Sequence, residues 1–325
     1  MNGAPVAPDV SSKASTSDDD KIKHHVCSRF LKKKPPDIYG QRHAIESSKC
    51  VDDSLRLLEK EIAKLPDDLR AGLDQAAVFC PELLAKEHRL MFLRCEQFNV
   101  DLAAIRLAKY WNTRIKLFQG AAFRPLPIGV EHMSSEDRKE MSIGFIRLLP
   151  DTDGTGRCNM YVDPRVLEGK EYDNERMVRA AWLTLHEALE TESTQQKGIV
   201  FLVYLEGALL RHFDRTLVKQ LANSIRGILP VRVSGIHMFY PPYLFEVLFD
   251  VVAMLLGERL TKRIKLYSDD EEAVVHDKLM DFGIFPSRLP TELGGGLEFS
   301  DGKWKEHDEN CVSEACSKGS AKKAA

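Results

Sequence analysis

The sequence predicts an α/β protein: a mostly parallel β-sheet flanked by helices and preceded by a small all-helical lobe. Three observations carry this. From Ile199 to Tyr267 short apolar runs alternate with helical stretches as strand, helix, strand, helix, strand, which gives right-handed βαβ units. IVFLVYL (Ile199 to Leu205) and SGIHMFY (Ser234 to Tyr240) are apolar at successive positions, as strands covered on both faces are. From about 50 to 120 the period is helical instead, with Leu55, Leu58, Ile62 and Leu65 in register.

Residues 1–48 are rich in Ser, Asp, Lys and Pro without apolar periodicity, which predicts a disordered tail. Lys32-Lys33-Lys34 before Pro35-Pro36 reads as a solvated charge run, with contact to an anionic surface as the other role. The helical lobe spans 49–125. In it FNVDLAAIRLAKYW starts from Asn99 or Asp101 as N-cap. The larger domain spans 135–304. IGFIRLLP and RCNMYVDP flank the turn cluster Asp151 to Gly156 and read as a hairpin. The twelfth residue from Asp151 is Val162, so the cluster lacks the closing Glu of a calcium loop. NERMVRAAWLTLHEALETE is a long helix, followed by the strand Ile199 to Leu205 and a helix over 214–226. Next come the strand Ser234 to Tyr240, the helix Tyr243 to Leu256, the strand Thr261 to Tyr267 and a helix near 270–281. The segment 305–325 is a second disordered tail.

Length and composition narrow the function. The 325 residues carry a formal net charge of -3, which gives no nucleic-acid footprint. No stretch approaches the roughly 20 apolar residues of a bilayer span, and the N-terminus has no apolar signal region. Cysteines number seven and show no C-x-x-C spacing, which points to free thiols in a reducing compartment, the cytosol. His186-Glu187 begins an H-E-x-x-H pattern whose second His is replaced by Glu190, so it is an ordinary helix face. A hydrolase built on His186 and Glu187 would have no nucleophile or metal set beside them. No P-loop, G-x-S-x-G or G-x-G-x-x-G is present. The expectation is a protein with no catalytic residues, metal or cofactor.

Two features point to binding. The helix Tyr243 to Leu256 is charged only at Glu246 and Asp250 and apolar nearly all round. At about 21 Å it is too short for a bilayer core, so it is covered on more than one side. Periodicity alone favours a core helix over a mobile lid. Directly after it, Arg259, Lys262, Arg263 and Lys265 form a basic cluster, and Arg232 precedes the neighbouring strand. Such a cluster suits lipid phosphates or a solvated strand edge.

Four ordered motifs over about 65–300 resemble the CRAL-TRIO lipid-binding family: FLRCEQFNVDLAAIRLAKYW, KGIVFLVYLEG with Tyr204 where Asp is usual, PVRVSGIHMFYPPYLFEVLF, and LPTELGGG. GIH before a Pro and a lid helix, ERLTKRIKLYS, and GLEFSD are similar to the branch of the α-tocopherol transfer protein, the cellular retinaldehyde-binding protein and the clavesins. The resemblance implies a CRAL-TRIO fold with a gate helix, here Tyr243 to Leu256, over an apolar pocket, and no chemistry.

Carried over by position, the resemblance implies a pocket wall of Val178, Ala181, Trp182 and Leu185 from the long helix. Ile199, Phe201 and Val203 join from the first buried strand, sharing one face by alternation. Phe213, Leu221, Ser224 and Ile225 follow from the next helix region, Ile236 and Met238 from the second strand. Phe245, Leu248, Phe249 and Val252 come from the gate. The tocopherol-type pocket has small hydroxyl residues where this chain has Ala181 and Leu185, which counts against tocopherol itself. A phosphoinositide-binding face would comprise Arg232, Arg259, Lys262 and Arg263, with Ser234 replacing one basic residue. The residues that hold inositol phosphate inside the phosphatidylinositol/phosphatidylcholine transfer branch align with Val231 and Ala253, which cannot do so. The expectation is a monomeric cytoplasmic carrier of a retinoid-, tocopherol- or other isoprenoid-like lipid, docking peripherally on phosphoinositide membranes. The alternatives are a scaffold with a vestigial pocket and a phospholipid transfer protein.

Overall fold

The computed structural model describes residues 32–125, 133–243, 245–268, 271–300 and 303–306. Four helices form the lobe: α1 (Ser48–Ala63), α2 (Asp67–Phe79), α3 (Lys86–Cys95) and α4 (Val100–Phe118). Ser47 caps α1 by accepting from the Cys50 amide, and Asn99, not Asp101, caps α4 by accepting from Leu102. Helices α2 and α4 meet at Gly72, whose amide donates to Asn112 at 2.7 Å. A Cβ there would lie 2.5 Å from the Asn112 side chain, so only glycine permits this approach.

After α5 (Ser135–Ile143), β1 (Ile146–Thr152) and β2 (Cys158–Val162) form the expected antiparallel hairpin. The long helix then divides in two. Helix α6 (Asn174–Ala188), capped by Asp173, ends where Leu189 turns its amide back to Leu185 and His186, and α7 (Glu192–Lys197) starts anew after Thr191. The core continues as β3 (Ile199–Tyr204), α8 (Arg215–Gly227), β4 (Val233–Phe239), α9 (Phe245–Leu256), α10 (Glu258–Thr261), β5 (Ile264–Tyr267) and α11 (Glu272–Met280). The fifth strand is therefore shorter than predicted, because Thr261 closes a helical turn and its hydroxyl donates to the Ala253 and Gly257 carbonyls. The sheet order is β1-β2-β3-β4-β5, parallel from β2 onward.

Strands β3 and β4 slip by one residue near Ile199: Ile199 pairs with Val233, but Val200 pairs with Gly235. Ser234 is the extra residue, and such a slip changes the face that each side chain takes. One face carries Ile199, Phe201, Ile236 and Met238 into the larger apolar core with the lobe and α6. The other carries Val200, Leu202, Tyr204 and Phe239 into a second core with α11 and the segment after it.

Two tail expectations change. Residues 1–31 and 307–325 lie outside the described residues, but residues 32–47 are fixed as a strap on the domain. Asp37 bonds His43 and the buried Arg157, while the Tyr39 ring packs 4.9 Å from that of Phe282. Gly235 makes room for it, since a Cβ there would lie 2.5 Å from the Tyr39 ring. At the other end β6 (Leu297–Ser300) and β7 (Lys303–Glu306) form a hairpin across the predicted domain boundary.

Candidate functional site: an apolar cavity beside an arginine pocket

A cavity of about 200 Å³ lies between the first sheet face, α6, α8 and α9. Its floor is Phe201 and Val203 of β3 with Val233, Ile236 and Met238 of β4. Helix α8 contributes Leu217, Leu221 and Ile225, spaced four apart on its inner stripe. Phe245, Val252 and Leu256 of α9 form the roof. Two polar side chains reach the wall, and the fold already occupies both. His212 accepts from the Leu209 amide at 3.0 Å and donates to Glu168 at 3.1 Å. Asp214 caps α8 through the Leu217 amide at 2.9 Å and accepts from the Tyr172 hydroxyl at 3.0 Å. A smaller side cavity of about 60 Å³ shares Phe213, Phe245 and Val252 and opens past Leu209 and Leu210, of which Leu210 is 59% exposed.

Several residues expected at the wall sit elsewhere. Leu185, Phe213 and the β3, β4 and α8 residues Phe201, Val203, Ile236, Met238, Leu221 and Ile225 line the main cavity, as do Phe245 and Val252. Leu248 lines the side cavity, and Phe249 lies next to Phe245 with ring centroids 5.9 Å apart. Val178, Ala181 and Ile199 are buried core residues away from the described wall. Trp182 is fully buried against Tyr110 of the lobe, and its indole donates to Ser224 at 3.1 Å. That contact turns both Trp182 and Ser224 to the helix–helix interface. Sequence reasoning missed Phe145, Ile146, Leu167, Leu205, Val233, Leu256 and Leu260, at or near element ends where periodicity gives no face, and also Leu217, Val218 and Ala222 within α8.

Helix α9 is held at its C-terminal end. Arg226 of α8 donates to the Leu255 carbonyl at 3.2 Å, and Gly257 (φ 75°) ends the helix against the same guanidinium. Arg226 is itself placed by the lobe. Arg106 of α4 donates to the carbonyls of Arg226 at 2.8 Å and Leu229 at 2.7 Å, and pairs with Glu96. On its outer side α9 leaves Met254 60% exposed, and Tyr243 before it is 89% exposed.

Beyond the end of α9 lies a second pocket, about 250 Å³ and polar, lined by Arg106, Arg226, Arg232, Arg259 and Arg263 with Glu258. Ile225, Val233, Leu256 and Leu260 line both pockets. Burial holds the Arg232 and Arg263 guanidiniums below the ordinary arginine range, with neighbouring arginines as a lesser cause. Cys95, also on this wall, is pushed up to about 11 by burial, so it is not a thiolate. The basic cluster thus differs from its expected form. Arg232 is buried, donating to Gln196 at 2.6 Å and Gln41 at 3.2 Å. Lys262 is exposed and paired with Glu258 at 2.5 Å, outside the pocket. Arg106 and Arg226, which carried no sequence signal, take its place.

His186 is wholly engaged in packing. Its Nδ1 donates to the Trp182 carbonyl at 2.7 Å, and its Nε2 accepts from Tyr110, whose oxygen accepts from Arg114 at 2.9 Å. Burial depresses the imidazole to about 4. Among the described residues no group of His, Cys, Asp and Glu could hold a metal ion, and no helix is long and apolar enough to cross a membrane.

Comparison with known proteins agrees with this architecture. The CRAL/TRIO domain family model matches residues 144–295. A human "Alpha-tocopherol transfer protein-like" protein is 26% identical over 255 residues, covering 75% of this chain and 70% of the relative. The human "Tyrosine-protein phosphatase non-receptor type 9" is 22% identical over 243 residues, which span 69% of this chain and 40% of that protein. A CRAL-TRIO domain-containing protein of Dictyostelium discoideum is 20% identical over 220 residues, 66% of this chain and 80% of the relative. Proteins of this family bind and transfer lipophilic ligands. Residues 144–295, just under half of the chain, match the CRAL/TRIO domain family, the family that the ordered motifs resemble.

Proposed function

We propose that the chain carries a lipophilic small molecule of isoprenoid type, enclosed under α9 as a gate, and exchanges it at phosphoinositide-bearing membranes. The observation that carries this reading is the apolar cavity roofed by Phe245, Val252 and Leu256. Each 100 Å² of ligand surface buried there contributes about 2.5 kcal/mol. His212 and Asp214 are already bonded within the fold. A ligand hydroxyl at the wall would lose its water partners, so the reading favours hydrocarbon cargo over tocopherol. At about 200 Å³ the cavity is below the roughly 300 Å³ where ligand pockets begin, so cargo binding moves the gate outward.

The arginine pocket supports phosphoinositide docking, because guanidinium forks match phosphate oxygens. Leu256 and Leu260 line both pockets, which supports a link between docking and the C-terminal end of the proposed gate. Exposed Leu210 lines the side cavity, and exposed Tyr243 follows Pro242 of its wall, which supports contact with an acyl-chain surface there. Native mass spectrometry of protein purified from its own cells tests the carrier reading. One stoichiometric apolar molecule per chain is expected. Repeated recovery of empty protein that takes up neither retinoid, tocopherol nor phospholipid rejects it. Arg259→Ala with Arg263→Ala should lower affinity for soluble inositol bisphosphates at least tenfold, and unchanged affinity removes the docking claim.

A further inference from the structure

We infer that the N-terminal strap, residues 32–47, is the second half of the membrane-docking surface, and that its partner is a bilayer rich in anionic phospholipid. This rests on the docking role proposed for the arginine pocket and adds a separate contact beside it. The strap folds back on itself. The Lys34 amide donates to the His43 carbonyl and the Ile45 amide to the Lys32 carbonyl, both at 2.8 Å, around a turn at Asp37 to Gly40.

Its two sides differ. The inner side is buried and polar: Gln41 donates to the Val233 and Ser234 carbonyls at 3.3 and 3.1 Å and accepts from Arg232. His43 bonds the Gln196 carbonyl at 3.0 Å, and the Tyr39 hydroxyl meets His237 Nε2 at 3.1 Å. The outer side presents Lys32, Lys33, Lys34 and Arg42, all exposed. The lysines are therefore displayed from an anchored segment rather than from a free chain end.

The anchor fixes where they stand. Arg232 lines the arginine pocket and also the small cleft formed with His43, Ala44, Arg94 and Gln97. Arg263 of the arginine pocket donates to the Ser234 carbonyl at 3.3 Å, the same oxygen that Gln41 bonds. Lys33 reaches Gln97 at 3.5 Å on the rim of that cleft. The strap cations and the arginine pocket are thus adjoining parts of one face.

Its carboxylates do not oppose an anionic partner. Asp37 is paired with His43 and Arg157, Glu46 and Glu192 with Arg94, and Glu96 with Arg106. Among the described residues none of Lys32, Lys33 and Lys34 pairs with a carboxylate. A pocket suits one polyanionic headgroup. Exposed lysines on a held segment suit the diffuse field of many monovalent headgroups, which falls off within a Debye length.

The test uses the full chain with Lys32→Gln, Lys33→Gln and Lys34→Gln combined. Vesicles of phosphatidylcholine with phosphatidylserine, with and without a trace of phosphatidylinositol bisphosphate, are sedimented with each protein. Vesicle affinity should fall by about a hundredfold, at about 1 kcal/mol per lysine, and its dependence on salt should become shallower. Affinity for soluble inositol trisphosphate and the melting temperature should not change. Unchanged vesicle affinity overturns the inference. So does an equal loss for soluble inositol trisphosphate, which would reduce the strap to a support for Arg232. Weaker binding to heparin with vesicle binding intact would assign the lysines to another polyanion and also overturn it. Failure of the pocket reading looks different: Arg259→Ala with Arg263→Ala would leave soluble headgroup binding intact, while the strap variant still loses phosphatidylserine vesicles.

Discussion

Neighbouring residues of β3 and β4 build the two faces of the sheet, and the faces are used in opposite ways. Phe201, Val203, Ile236 and Met238 point to the side that encloses the cavity. Leu202, His237 and Phe239, one step along the same strands, are fully buried among aromatic rings. There His237 lies between the Tyr39 and Tyr267 hydroxyls at 3.1 and 2.7 Å, and Phe239 stacks on Tyr267 at 5.0 Å. The side with a void gives up dispersion contacts, and the closed side supplies the rigidity that keeps the void from collapsing. One strand thus divides stability from capacity residue by residue.

The sharpest way to break this comparison is to place the same bulk on both sides. Met238→Trp should abolish uptake of a retinoid or other isoprenoid ligand while moving stability by less than about 1 kcal/mol, since the added ring enters empty space. Phe239→Trp should overpack the closed side and lower stability by about 1–3 kcal/mol with uptake retained. Fluorescent-ligand titration and urea unfolding read the pair, and equal behaviour would dissolve the distinction.

Removing bulk should give the converse. Leu202→Ala should cost about 3 kcal/mol and Val203→Ala about 1 kcal/mol, because Val203 already borders the cavity. Comparable losses in urea unfolding would mean that the cavity side carries its share of stability.

Acid should act on the buried histidines. Burial depresses His237 and His88 to about 3 and His186 to about 4, from an ordinary value of 6.5. The unfolded chain takes up these protons near 6.5 and the folded chain does not. Stability is therefore fully present above 6.5 and lost as pH falls from there toward 3–4, by about 1.4 kcal/mol per unit and group. Urea midpoints that stay level between pH 7 and 5 would contradict this.

The smallest effect concerns α9 alone. Arg226→Ala removes the hydrogen bond to the Leu255 carbonyl, worth about 1 kcal/mol. Amide exchange in α9 should quicken several-fold without a matching drop in global stability. Unaltered exchange there would show that apolar contacts alone hold α9.

The alternation of strands and helices was legible because β2 to β4 are buried and α8 is amphipathic, so burial leaves a period in the sequence. Alternation put Ile199, Phe201 and Val203 on one face and the resemblance added Ile236 and Met238; of these all but Ile199 border the cavity. Trp182 and Ser224 were misread because helix α6 is buried at almost every position from Met177 to Ala188, which removes any one-sided stripe. The strap was read as tail because hydrogen bonds from Asp37, Gln41 and His43 hold it, not periodic apolar contacts. Arg232 was placed on the surface because its partners His43 and Gln41 are 189 and 191 residues away in the chain.

The slip at Ser234 also decides which chemistry enters the cavity. In an unslipped strand, Arg232 would share the phase of Ile236 and Met238, two residues per period, and a cation would project into the hydrocarbon space. The extra residue advances the phase by one. Val233 takes the inward position and Arg232 is delivered to Gln41 and Gln196. A single inserted position thus acts as a sorting device, partitioning a grease-lined chamber from a charged one along one continuous backbone. Deleting Ser234 would make Val233 and Gly235 consecutive and keep both compartments, whereas straightening the strand with Ser234 retained would exchange them.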